Sequence, residues 1–148
     1  MSSVFNLDNR LALARRLDDL APSASPRWGQ MNCPQMLAHL SDSVRMALGE
    51  LRVSGRGPAA LRLRPISVAV IHWLPWPKGA PTAPELVARR PAEIDGERAD
   101  LKHLLERIGA MEGCREWPEH PAFGRLTSRD WGALLHRHVD HHLRQFGA

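Results

Sequence analysis

An all-α helical bundle with a long crossover is the fold class this sequence predicts. Three observations carry that expectation. Apolar residues recur at helical spacing in several separate stretches. Five prolines crowd between Pro75 and Pro91, too many for regular structure and suited to a crossover. No repeat or low-complexity tract appears, and 148 residues suit one domain, taken as 1–148.

The first segment runs from about Asp8 to Leu20. Leu7, Leu11, Ala14 and Leu17 define its apolar stripe, and Pro22 stops it. The second begins at Asn32, a good N-cap, tolerates Pro34 in its first turn and extends to about Leu51. Gly55 and Gly57 then mark a loop. The third, "PAALRLRPISVAVIHWLPW", is ambiguous: its β-branched run could form a strand, and Pro65 interrupts any helix. The fourth, about Ala92 to Ala110, carries Ile94, Leu101, Leu104, Leu105 and Ile108 at helical spacing. After an irregular connection, "GCREWPEHPAFGRLT", the fifth starts at a capping signal, Thr127 or Ser128, and continues to about Gln145.

Composition narrows the function classes. Hydrophobic residues make up 43% and charged residues 24%, a balance typical of globular domains. The N-terminus lacks the basic-then-apolar layout of a signal peptide. The longest strongly apolar run, Ile66 to Leu74, is far short of a membrane span. The formal charge of +4 invites a nucleic-acid reading. However, the arginines alternate with acids, as in "RRLDDL" and "GERADLKHLLER", and so form solvated helix faces. Cys33 and Cys114 make no knuckle or redox pair by spacing and read as reduced thiols of a cytoplasmic protein.

The chemistry concentrates at the C-terminus. Four of eight histidines fall within seven positions of "HRHVDHH". With about 100° per residue, His142 lies about 40° from His138 and one turn on. Trp131, Leu134, Leu135 and Gln145 share that direction, while His136, Asp140 and Arg144 point away. Two imidazoles at i and i+4 on an apolar face can converge on one ion at about 2.0–2.1 Å each. Leaving both unshielded there would be costly. A third ligand must come from another helix. His39 is the best candidate, sharing its face with Gln35, Met36, Asp42, Ser43 and Met46. His141 lies at the margin and is not expected to be a ligand. His72 and His103, each alone, read as hydrogen-bonded core residues. His120 is either at the mouth of the site or in solvent. Trp28, Trp73, Trp76 and Trp131 either wall a pocket or fill the core.

"HPAFGRLTSRDWGALLHRHVDHHLRQFG" resembles the C-terminal signature of the DinB-like (YfiT-like) group of small bacterial proteins. "RWGQMNCPQMLAHLSDSVRMALG" resembles that group's segment around its first histidine, and "PWPKGAPTAPEL" its crossover. The likeness runs from about Arg27 to Gly147. It implies a four-helix bundle with an additional helix, which makes segment three helical. It also implies a three-histidine metal site. The family's first histidine matches His39, its final-helix pair matches His138 and His142, and the following glutamine matches Gln145. Activities in the family include thiol-dependent transferases, an isomerase and the iron-binding portion of sulfoxide synthases, so the site transfers more safely than the reaction.

Three neutral histidines leave coordination positions open, which favours catalysis over a structural role. The expected cofactor is one divalent ion. Zn²⁺ and Ni²⁺ suit the ligands, whereas Fe²⁺ usually takes a carboxylate, for which Asp42 is nearest. The ion would lower the pKa of water or a thiol, with Asp42 or Gln145 orienting the nucleophile or its substrate. The expected function is a metal-dependent hydrolase or thiol-dependent transferase acting on a small molecule. The alternative is a metal-binding or stress-related protein without turnover. The expected partners are a small-molecule substrate and a low-molecular-weight thiol, with no nucleic acid and no membrane. A homodimer stays open.

Overall fold

The computed structural model describes residues 1–148, and every regular element in it is helical. Five α-helices form: α1 (Leu7–Asp18), α2 (Cys33–Ala47), α3 (Arg64–His72), α4 (Ile94–Gly109) and α5 (Ser128–Gln145). Short 3-10 turns at Ala59–Arg62 and Pro84–Leu86 punctuate the connections. α2 packs along α4, α1 bridges α4 and α5, and α3 rides on α5. No helix is long and apolar enough to cross a membrane.

The two helices that carry the histidines are the best capped. Asn32 accepts from the Gln35 N–H, and the Gln35 side chain accepts from the Asn32 N–H, a reciprocal box with Pro34 in the first turn. Thr127 and Asp130 repeat that arrangement at the start of α5. Asp130 is buried and also binds His72 Nε2 at 2.9 Å and Arg64 at 2.8 Å, tying α3 to α5. Burial alone would raise its pKa, but these partners and Thr127 hold it well below the usual carboxylate range.

Several expectations need correction. α2 ends at Ala47 rather than near Leu51, with Gly49 at φ +78° turning the chain. α3 is a helix, and Pro65 opens it instead of interrupting it, because a first-turn proline gives up no helical hydrogen bond. The core stripe of α1 runs through Leu13 and Leu17, while Leu7 and Leu11 are 54% and 41% exposed. Arg10 explains the shift. Its guanidinium turns inward to the Val4 and Phe5 carbonyls, at 2.7 and 3.0 Å, and lies against Gly109. His103 is exposed, not a core residue.

Candidate metal centre

His39 sits midway along α2, and His138 and His142 sit one turn apart on α5. One ligand atom from each lies within 4.8 Å of the others. His39 is 3% and His142 8% exposed, and His138 is half-buried. Trp131, expected as core or pocket wall, is wholly buried core. Trp73 is 70% exposed and walls nothing.

The hydrogen-bond pattern fixes which nitrogens are free. The Trp28 carbonyl can only accept, so the Gln145 amide nitrogen faces it at 2.6 Å. Gln145 Oε1 then faces His142 Nδ1, also at 2.6 Å, and accepts its hydrogen. His39 Nδ1 donates to the Leu86 carbonyl at 3.2 Å. In neutral rings, both arrangements leave Nε2 with a bare lone pair. Such outer partners are the usual orienting shell of metal-bound histidine.

His39 Nε2 and His138 Nε2 are 3.0 Å apart. That spacing suits either a neutral N–H···N hydrogen bond, with His138 donating to the bare His39 nitrogen, or one metal ion shared by the two rings. Nitrogens bonded to one ion at about 2.0–2.1 Å stand about 3–3.5 Å apart, so the residues fit a divalent ion. Burial, the leading cause at all three positions, disfavours the charged imidazolium and keeps the rings neutral. It lowers the pKa of His39, takes His138 well below the normal histidine range and brings His142 down to about 3. Neutral imidazole is the form that ligates.

The neighbours fall into place around this cluster. His141 stays outside it, meeting Trp28 edge-on at 5.5 Å between ring centres. Asp42, buried at 5% exposure, is not an isolated carboxylate. It pairs with Arg45 at 2.9 Å and Arg89 at 3.3 Å. Arg89 in turn grips Glu97 through two bonds of 2.7 and 2.9 Å. His120 is half-buried. Its Nδ1 accepts from the Ala122 and Phe123 N–H groups, and its ring packs 5.4 Å from Trp131. His136, expected in solvent, is half-buried near Asp140 and Arg16.

Sequence reasoning missed Leu86 and Trp28 as orienting carbonyls, since any residue supplies that group. It also missed Arg89, which carried no signal beyond its place in the crossover.

A family model described as the DinB superfamily matches residues 5–146. No curated protein and no solved structure gives a significant match.

Proposed function

This chain belongs to the DinB superfamily, and from that premise we propose that it binds one divalent metal ion at His39, His138 and His142 and is a metal-dependent enzyme. The observation that carries the reading is the convergence of three imidazoles, two with their other nitrogen committed to Leu86 and Gln145. A divalent ion held by these three residues would supply Lewis acidity to a bound water or thiol. The reaction class that fits is hydrolysis, or transfer of a low-molecular-weight thiol, on a small-molecule substrate.

The chain's own residues have separate parts in this reading. Gln145 is a positioning residue, holding the His142 ring through Nδ1. Asp42 is a positioning residue of a different kind. Its charge acts on His39, but its oxygens are held by Arg45 and Arg89, so its part is to fix the local field. The pairing of Leu86 with His39 makes the crossover part of the site.

A panel of esters, amides and electrophiles, with and without low-molecular-weight thiols, tests the reading on metal-loaded and chelated protein. Activity only in the loaded protein is the expected result. Activity that survives complete chelation would exclude the metal mechanism. Full metal occupancy with no turnover anywhere would favour the non-catalytic metal-binding reading.

A further inference from the structure

Two indoles stand beside the histidine cluster on its α5 side. His39 and His142 are buried and His138 is half-buried, and the aromatic residues bordering His138 mark one face of the cluster. There the Trp76 ring stands 6.2 Å from His138 and 6.1 Å from His141, and Trp28 meets His141 edge-on. Both indoles are half-buried, and that of Trp76 is fixed by a hydrogen bond. Trp76 Nε1 donates to the Val70 carbonyl at 2.9 Å, and the Trp28 backbone is bonded to Gln145.

Each indole carries a cation on its face. Lys78 Nζ lies 4.7 Å from the Trp28 ring centre, and the Arg137 guanidinium 4.9 Å from that of Trp76. Neither cation has a carboxylate within ion-pair distance, though Asp140 acts on Arg137 from further away. Arg137 donates to the carbonyls of Val70, Ile71 and Leu74, which leave its charge intact. Asp140, one turn from Arg137, is shared by Arg16 and Arg144. No carboxylate belongs to the ligating cluster, and Asp42 is held by two arginines. A divalent ion on three neutral imidazoles would therefore keep its full charge beside two more cations. A positive rim with flat apolar walls is complementary to an organic anion with a flat apolar body.

We propose, building on the metal-site reading above, that the rim formed by Trp28, Trp76, Lys78 and His141 binds an organic carboxylate, its flat body against the indoles and its anionic group toward Lys78 and the histidine cluster. Titration calorimetry with 2-naphthoate and its neutral analogue 2-naphthamide tests this on zinc-loaded and metal-free protein. Zinc-loaded protein is expected to bind the carboxylate at least about tenfold more tightly than the amide. Lys78→Glu should weaken the carboxylate by about tenfold, more than it weakens the amide, and leave zinc content unchanged. Lys102→Glu, a charge reversal on α4 where Lys102 pairs with Asp18, should change neither affinity. Protein that takes no zinc yet binds naphthoate in a Lys78-dependent way would defeat the metal reading and keep the rim. Full zinc occupancy with equal affinity for acid and amide, or with no effect of Lys78→Glu, would overturn the rim proposal alone.

Discussion

Gln145 has one amide and two obligations. Its nitrogen donates to Trp28 and its oxygen accepts from His142, so a single side chain decides which imidazole nitrogen is left to ligate. Gln145→Leu keeps the volume and removes both bonds. It is expected to lower zinc affinity by about 10–100-fold, the usual cost of losing such a partner, with helical content retained. Competition against a chelator measures this, and unchanged affinity would reduce Gln145 to packing. Gly29 guards the same contact. A Cβ there would stand 2.6 Å from Gln145 Nε2, on a backbone at φ +78° that side chains avoid. Gly29→Ala should cost about 1–2 kcal/mol from the backbone alone, seen as a lowered melting temperature. The three converging histidines were legible from sequence because their chemistry is in the side chains and their spacing is helical. Their orienting carbonyls, at Leu86 and Trp28, leave no mark in the sequence.

At the scale of elements, α2 and α5 were the most readable because their caps and apolar faces agree. Asn32 and Thr127 each close a reciprocal box. α3 was ambiguous because Pro65 reads as a breaker until its first-turn position is known. The face of α1 was misread because leucines occur on two sides of it, and only the inward turn of Arg10 shows which side is covered. The crossover was legible as irregular, but not as a clamp. Its Arg89 joins Asp42 on α2 to Glu97 on α4. The Arg89 bonds, opposed by burial, hold the Glu97 carboxyl below its ordinary range. A carboxyl depressed on folding stabilises the protein above its unfolded pKa, and that contribution fades as pH falls through the folded value. Stability should therefore drop on acidification below about pH 4.5. Glu97→Gln should be about 1.5–3 kcal/mol less stable at neutral pH and show a shallower acid slope. Denaturant melts across this range would check both effects, and an unaltered slope would assign the acid transition to other groups.

For the whole molecule, fold and site rest on different residues. The core is apolar and continuous, with Leu13, Leu37, Leu104, Ile108, Trp131 and Leu143 among its fully buried members, and it includes none of the three histidines. Removing the ion should leave most of the helical signal in circular dichroism while lowering the melting temperature, as for any ligand bound to the native state alone. Collapse of the helical signal on chelation would show instead that the ion completes the fold. Leu104→Ala should do the reverse, costing about 2–5 kcal/mol with metal content unchanged. The central claim is that three named histidines hold one ion, and metal content measures it most directly. Protein purified without a histidine-affinity resin should carry one equivalent of divalent metal. His39→Ala, His138→Ala and His142→Ala should each lose it, while His136→Ala and His141→Ala keep it. Full occupancy in any of the first three, or loss in His141→Ala, would contradict the account.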